Sequence, residues 1–361
     1  MRGFGLLACG QLDRYVVRLF AGAFLGTMLA MMALMIVISL AVDFDEHWGE
    51  EATLLLLGHF YLLDVPFQFL RMAPLITTLA ALLTLARLMR RNEWVAAVAA
   101  GIRPLRLLLP FFACGLGVIG LALALDQVFL ESIARHRAAV EERLSGKKLE
   151  EMSDLLVRDR SGRAIQVKKT WIPGTDGAGA RLEDLESTFL DDVTWRYVRA
   201  DRATWGEDGW TFEGARLRDL RENTLEWIPV ELGSYLDFTP TDLALAWKAR
   251  EHPLELTSRE VSELIRRDPD NPKLRTLELC GLAYQIANVV LLLSGLPLLL
   301  QFGARGAWRG VLVGLLQGLL YFVLESIFRS FGMEGQIGPF FAAWTPTVLF
   351  ASAGIVLSAT A

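Results

Sequence analysis

Long stretches without a single charged residue lie towards both ends of the chain, and the middle is polar. Four of them are about as long as the roughly 20 residues that cross a bilayer core. These four lie between Arg18 and Asp43, between Arg106 and Asp126, between Glu278 and Arg305, and from Gly335 to Ala361. Two shorter runs, Met72 to Ala86 and Gly310 to Leu324, continue past a boundary charge into further apolar sequence. The pattern predicts six membrane spans, three before the polar middle and three after it.

The polar middle changes from a helical to a two-residue period. Residues 131–144 keep apolar side chains at helical spacing, so we expect a helix that runs on from the third span. From about Arg158 polar and apolar residues alternate, as in Ala164–Lys169 and Trp210–Phe212. Gly/Asp clusters at 173–177 and 206–209 separate these runs, which is typical of hairpins and predicts a β-rich domain of short strands.

A second helix is predicted where the chain returns to the membrane. Thr257 followed by Glu260 matches a capping box, in which both side chains bind amides of the first helical turn. We therefore divide the chain into three parts. These are a first membrane half at 1–130, a β-rich domain with flanking helices at 131–272, and a second membrane half at 273–361.

Composition and charge fit a membrane protein of defined orientation. Hydrophobic residues make up 53% of the 361 positions, charged residues 21%, and the net charge is −5. Loops rich in Lys and Arg stay on the cytoplasmic side of a membrane. Arginines lie before span one, between spans two and three, and between spans four and five. They are Arg2, Arg14, Arg18, Arg87, Arg90, Arg91, Arg103, Arg106, Arg305 and Arg309. All fall on one side, so we expect a multi-pass membrane protein with cytoplasmic termini and an outer central domain, which is periplasmic if the cell has two membranes.

Several kinds of chemistry are missing from the sequence. It contains no phosphate loop, no HExxH and no Gly-x-Ser-x-Gly, and its three cysteines lack the spacing of a metal site. The net negative charge argues against a nucleic-acid partner. We therefore expect no catalytic residue, no metal and no cofactor, and transport or tethering fits better than a membrane enzyme.

The loop between spans two and three carries a short helix at about 88–101. Asn92 has the residue type of an N-cap, Glu93 suits the positive end of the helix dipole, and Gly101 can end the helix. Taken alone, such a helix is more often an interfacial turn than a docking element. This segment, however, resembles the coupling helix of the LptF/LptG permeases, the membrane subunits of the lipopolysaccharide-export ABC transporter. The resemblance is carried by Leu88-Met-Arg-Arg-Asn-Glu93 and Ala100-Gly-Ile102.

The resemblance covers nearly the whole chain. Its further motifs are Leu12-Asp-Arg-Tyr15, Pro66 and Pro74, Ala200-Asp-Arg-Ala203 with Trp210-Thr-Phe212, Leu256–Leu264, and Gly338–Pro346. The sequence departs from the family pattern at Gly281 and Gln285, where a basic residue and a proline are frequent. Asp43-Phe-Asp-Glu46 inclines the resemblance towards LptG without separating it from LptF.

The resemblance implies a mainly α-helical integral membrane protein with six transmembrane helices (3+3) and an inserted periplasmic β-jellyroll domain. It implies a homologous permease as heterodimer partner, a dimeric cytoplasmic ATPase, a periplasmic bridge protein, and lipopolysaccharide or a related glycolipid as the transported molecule. The permease would extract this lipid from the outer leaflet of the inner membrane and pass it through the β domain, with ATP hydrolysed by the partner.

Two other classes stay open. A lipoprotein-release or mechanotransmission permease also has a large outer domain, but that domain normally follows span one, so the charge map counts against it. A membrane-tethered periplasmic scaffold without transport is the second alternative.

The first group of candidate site residues is cytoplasmic. By the resemblance, Glu93 docks into a groove on the ATPase, with Asn92, Arg90 and Arg91 around it. The alternative is that Glu93 is an ordinary first-turn carboxylate, worth about 0.3–1 kcal/mol to the helix.

The second group, Arg71, Arg329 and Glu325, is expected near the outer ends of spans two and five. Ionisable groups at such depth are costly and usually face a bundle interior or a cavity. Glu325 and Arg329 are four residues apart and share a helix face. In the family, span five borders the lateral opening for lipid, so Arg329 would meet the lipid phosphates and Glu325 would hold it. Alternatively, both arginines snorkel to the headgroups and Glu325–Arg329 is a structural pair.

Overall fold

The computed structural model describes residues 10–42, 54–130, 151–172, 179–191, 194–206, 208–219, 227–229 and 236–360, with a few helical positions between 132 and 140. The chain divides into two compact units. The membrane unit comprises Met1–Val42, Asp64–Leu130 and Pro272–Ala361. The β unit comprises Asp43–Leu63 and Glu131–Asn271.

The helices confirm the predicted spans. In chain order they are α1 Gln11–Val42, α2 Leu54–Arg90, α3 Glu93–Ala99, α4 Pro104–Ala124, α5 Pro240–Glu251, α6 Ser258–Arg267, α7 Pro272–Gln301, α8 Gly303–Met333 and α9 Pro339–Thr360. Within the described residues, six of these (α1, α2, α4, α7, α8 and α9) are long and apolar enough to cross a membrane. Helix α4 continues through a π-helical turn at Leu125–Phe129, which the apolar pattern does not predict.

Small residues let the helices of the membrane unit approach closely. Lipid tails are as apolar as leucine, so membrane helices associate chiefly by van der Waals packing at small side chains. A Cβ added at Gly314 of α8 would lie 2.5 Å from Leu82 Cδ1 of α2, and one at Gly332 would lie 2.5 Å from Ala342 Cβ of α9. These contacts bring α2, α8 and α9 together with no room for a larger side chain.

The β unit contains the predicted antiparallel strands. The described strands are β1 Glu151–Arg158, β2 Ala164–Trp171, β3 Arg181–Asp191, β4 Thr194–Gly206, β5 Gly209–Glu213, β6 Arg216–Asp219 and β7 Ile228–Pro229. They pair in the order β1-β2-β3-β4-β6-β7, and β5 also pairs with β4. The predicted hairpin at 206–209 joins β4 to β5 and sets Trp205 opposite Trp210. The cluster at 173–177 and the LptG-like residues 43–46 lie outside the described residues.

One face of the sheet is buried and the other is charged. Ile165 and Val167 of β2 pack in the core with Val198 of β4, Phe238 and Leu243, the last from α5. Alternation along a strand puts successive side chains on opposite faces, which explains this division. The predicted two-residue period and the inserted β domain are therefore confirmed.

Two short helices complete the β unit. Helix α6 begins at the capping box predicted for Thr257 and Glu260. Helix α5 begins at a second capping box, formed by Thr239 and Asp242 with Pro240 at the first helical position. The second box follows the same pattern of an N-cap hydroxyl and an acid three residues later, and it was not predicted.

Candidate functional site

Helix α3 is short and wholly exposed or half-exposed along its length. It spans Glu93–Ala99 and contains no buried residue. Val95 and Val98 are exposed, while Trp94 packs against the core of the membrane unit. Gly101 follows at φ +85°, a left-handed conformation that glycine adopts easily, and Pro104 begins α4. The helix therefore ends where it was predicted to end.

Asn92 occupies the N-cap position of α3, but the prediction that its side chain caps the helix is wrong. Its backbone is left-handed, with φ 58° and ψ 12°, and its side chain accepts no capping hydrogen bond. A capping residue normally has an extended backbone, which aims its side-chain oxygen at the free amides. Asparagine tolerates the left-handed region better than most residues, so here it serves the sharp turn between α2 and α3.

The first turns of α1 contact both α3 and α4. Asp13 of α1 accepts two hydrogen bonds from the guanidinium of Arg106 in α4, at 2.9 and 2.6 Å. The Tyr15 hydroxyl lies beside the Glu93 carboxylate. These contacts join the first turns of α1 to α3 and α4, and they give the Leu12–Tyr15 motif a structural role.

The two arginines that precede α3 differ in their surroundings. Arg90 lies over the ring of Trp308 in α8, with its guanidinium carbon 5.6 Å from the ring centroid. Arg91 is exposed, and Glu93 is half-exposed. The structure thus brings Arg90, Arg91 and Glu93 to one end of the membrane unit, with Arg90 held by a cation–π contact.

Glu325 and Arg329 form the predicted ion pair on α8. Arg329 Nη1 donates to Glu325 Oε1 at 3.0 Å, and the side chains are 19% and 5% exposed for Arg329 and Glu325. The second carboxylate oxygen, Oε2, is buried and has no hydrogen-bond partner among the described residues. The carboxylate therefore keeps a free acceptor inside the bundle.

Arg71 does not join this pair among the contacts that the structure describes. Its side chain is exposed, and its backbone carbonyl accepts a hydrogen bond from the Tyr284 hydroxyl of α7. The two arginines thus differ, because Arg329 is turned into the bundle and Arg71 is turned out of it.

A set of buried polar contacts between the spans was not predicted. Thr77 of α2 donates to Asn288 Oδ1 of α7 at 3.1 Å, Gln317 of α8 donates to Ser294 of α7, and the Tyr321 and Thr347 hydroxyls are 3.2 Å apart. Such groups hold neighbouring spans in register because the alternative is an unpaired polar atom in an apolar interior. In the described part of the chain, no three His, Cys, Asp or Glu residues lie close enough to bind a metal ion.

The comparisons with known proteins agree with this architecture. The sequence model of the family described as lipopolysaccharide export system permease LptF/LptG matches residues 14–360. A comparison with individual curated proteins gives no match. The matched range begins within the first span, contains the other five, and includes the β-sheet between the third and the fourth, the arrangement that counts against a lipoprotein-release permease. The chain belongs to the LptF/LptG family of lipopolysaccharide export permeases, multi-pass proteins of the bacterial inner membrane.

Proposed function

We propose that this permease extracts lipopolysaccharide or a related glycolipid from the outer leaflet of the inner membrane and passes it through the β unit towards the outer membrane. The observation that carries the proposal is the family match, because residues 14–360 include both membrane halves and the β unit. The chain acts as one half of a dimer with a homologous permease. A separate cytoplasmic ATPase supplies the energy, and a periplasmic bridge protein receives the lipid.

The proposed orientation follows from the arginine-rich loops, which place both termini in the cytoplasm and the β unit in the periplasm. Arg305 and Glu334 lie at opposite ends of α8, and both are exposed. In a cysteine-free background, we expect an impermeant thiol reagent added to intact spheroplasts to label Glu334→Cys and to spare Arg305→Cys. Labelling of Arg305→Cys alone would reverse the orientation.

We propose that α3 couples the permease to the ATPase. An exposed short helix with a carboxylate and two exposed valines fits a groove that has an apolar floor and a basic rim. A buried charge pair between two proteins is worth several kcal/mol when one partner is removed, much of it from the charge left unpaired.

The test of coupling is charge reversal at Glu93. Glu93→Lys should abolish co-purification of the ATPase. The control is Glu334→Lys, a charge reversal at the C-terminal end of α8, which should leave co-purification unchanged. Normal ATPase assembly and normal lipid export in Glu93→Lys would leave Glu93 as an ordinary first-turn carboxylate.

For the lipid path, we propose that Arg329 contacts the phosphates of the exported lipid and that Glu325 positions it, with Arg71 as a second cation at the membrane surface. The support is that Arg329 is held by a buried carboxylate and that its side chain is still 19% exposed. A photo-crosslinker at 329 should capture lipopolysaccharide, and one at Ile327, exposed on another face of α8, serves as the control. Capture at Ile327 without capture at 329 would reduce Glu325–Arg329 to a structural pair.

A further inference from the structure

A pocket of about 330 Å³ lies between α1 and α2 at the same end of the membrane unit as α3. It is lined by Arg18, Leu19, Gly22 and Ala23 of α1 and by Leu83, Thr84 and Arg87 of α2. The apolar residues of its floor, Leu19, Ala23 and Leu83, are held in place because they pack against the buried core of the membrane unit. The volume is within the range of small-ligand pockets, about 300–1,000 Å³.

The two arginines of the pocket lack an acidic neighbour. Among the residues that line it there is no Asp or Glu, and in the described part of the chain neither Arg18 nor Arg87 forms an ion pair. Asp13, a carboxylate on the same helix as Arg18, pairs with Arg106 instead. Two guanidinium groups from adjacent helices therefore line one concave site, and no carboxylate among the described residues pairs with either of them.

The depth of the pocket is fixed by the sequence. Arg18 is the last charge before the uncharged run of α1, and Arg87 is the first charge after the uncharged run of α2. Both guanidinium groups therefore lie at the headgroup level, while Gly22, Ala23 and Leu83 lie about one helical turn deeper in the apolar layer. The lining thus changes from cationic to apolar with depth, in the same order as the headgroup and acyl region of a phospholipid.

We propose that this pocket binds the headgroup of an anionic phospholipid, such as phosphatidylglycerol, from the cytoplasmic leaflet. Guanidinium groups form paired hydrogen bonds with phosphate oxygens, so one phosphate can bridge Arg18 and Arg87. Basic pockets between membrane helices on the cytoplasmic side are a known form of lipid recognition. The glycerol and the first acyl carbons then pass Gly22, where a side chain would block them.

The bound lipid is distinct from the exported one. The pocket lies at the arginine-rich end of the spans, and lipopolysaccharide is drawn from the opposite leaflet under the proposed orientation. The assignment of the leaflet rests on that orientation, but binding itself does not. A lipid bridging α1 and α2 also fixes the end of α2 from which α3 continues.

Glycine positions on α1 provide a matched pair of variants. A Cβ added at Gly22 or at Gly26 would meet no atom within 4 Å, so a side chain can begin at either position without a clash. Only Gly22 lines the pocket. Gly22→Leu therefore fills the site and Gly26→Leu, one turn further along the same helix, does not. Arg14, an exposed arginine outside the pocket, gives the control for loss of charge.

The experiment measures lipid binding to the purified full chain in neutral detergent by native mass spectrometry. It compares phosphatidylglycerol, phosphatidylcholine with the same acyl chains, and inorganic phosphate as a competitor. We expect phosphatidylglycerol to bind more tightly than phosphatidylcholine. Arg18→Gln and Arg87→Gln should each weaken binding about fivefold, which corresponds to roughly 1 kcal/mol per arginine. Gly22→Leu should abolish the tight site, whereas Arg14→Gln and Gly26→Leu should bind as the unaltered chain does.

Three results would overturn the proposal. Equal binding of the two phospholipids would show that charge is not recognised. Tight binding retained in Gly22→Leu would place the lipid elsewhere. Displacement of phosphatidylglycerol by an equal concentration of inorganic phosphate would identify a free-phosphate site instead of a lipid site. Thermal unfolding of each variant checks that the fold is intact, and none of these results depends on the ATPase or on lipid export.

Discussion

Two buried carboxylates, one in each unit, pair with an arginine, and they differ in how their oxygens are used. In the β unit, Asp242 Oδ1 accepts from Arg267 at 2.7 Å and Oδ2 accepts from the Thr239 amide at 2.8 Å. In the membrane unit, Glu325 Oε1 accepts from Arg329 at 3.0 Å, and Oε2 is buried with no partner among the described residues. Their side chains are similarly buried, at 7% and 5% exposure.

The Asp242–Arg267 pair of the β unit is one of two ion pairs that join α5 and α6. The capping acid of α5, Asp242, binds Arg267 at the end of α6. The capping acid of α6, Glu260, binds Lys248 near the end of α5, at 2.8 and 3.0 Å. Every buried oxygen of Asp242 is used, so this arrangement is explained by structure alone.

The membrane pair is not explained in the same way. A buried acceptor left without a hydrogen bond costs about 1–3 kcal/mol, and ionisable groups within membrane spans are rare outside functional sites. The comparison therefore separates a fully hydrogen-bonded ion pair from one in which one carboxylate oxygen is unused and the arginine is partly exposed; the exposed arginine is the group that a phosphate can reach. It supports Arg329 as a lipid contact.

The largest expected effect follows from breaking the membrane pair. Glu325→Ala removes the ion-pair partner of the partly exposed Arg329, and breaking a buried pair in this way costs up to about 3–5 kcal/mol. We expect a large fall in the melting temperature of the purified protein. In the double variant Glu325→Ala/Arg329→Leu the uncompensated charge is gone, so much of the stability should return. A double variant no more stable than Glu325→Ala would show that the stranded charge is not the cause.

A smaller effect is expected from the packing beside this pair. Gly332 lies three residues after Arg329, and a Cβ there would be 2.5 Å from Ala342 Cβ and 2.7 Å from Thr276 Cγ2. The Ala342 methyl cannot rotate away, so Gly332→Ala should cost about 2–3 kcal/mol by overpacking. Gly26→Ala of α1 is the control, because its added methyl meets nothing within 4 Å. Equal melting temperatures for the two variants would contradict the close approach of α8 and α9.

These cases show which parts of the molecule local sequence determines. The Glu325–Arg329 pair, the capping box at Thr257 and the hairpin at 206–209 each involve residues close in the chain, and all were predicted. The Tyr284–Arg71 contact joins residues 213 positions apart, and spacing along one sequence gives no reason to pair them. The prediction that Asn92 caps α3 was wrong for a different reason, because asparagine fits both an N-cap and a left-handed turn.

The third prediction tests the saturated pair of the β unit. Asp242→Asn removes the charge that binds Arg267 and keeps an oxygen for the Thr239 amide. A hydrogen bond to a charged group is worth about 1.5–3 kcal/mol, and Glu263, 2.7 Å from Arg267, remains as a partner. We therefore expect a loss of about 1.5 kcal/mol, measured as thermal unfolding followed by tryptophan fluorescence. Asp242→Asn combined with Glu263→Gln should lose clearly more, and additive small losses in a double-mutant cycle would contradict the shared role.

The smallest effect is expected at the exposed ion pairs of the sheet, because water weakens the attraction between their charges. Arg199, which donates at 2.6 Å, and Lys168, at 3.2 Å, hold the pKa of Asp184 below its ordinary value. A carboxylate whose pKa is lowered on folding stabilises the protein above its unfolded pKa of about 3.9 and loses that contribution as the pH falls through the folded pKa. Because these side chains are about a third or more exposed, the contribution is at most about 1 kcal/mol and is screened by salt.

Asp184 has φ 54°, and asparagine tolerates this conformation, so Asp184→Asn removes the charge without adding backbone strain. We expect this variant to be slightly less stable than the unaltered chain at neutral pH and low salt, and the difference should vanish in high salt or in acid below the folded pKa. A difference that persists in high salt would assign Asp184 a role other than its ion pairs.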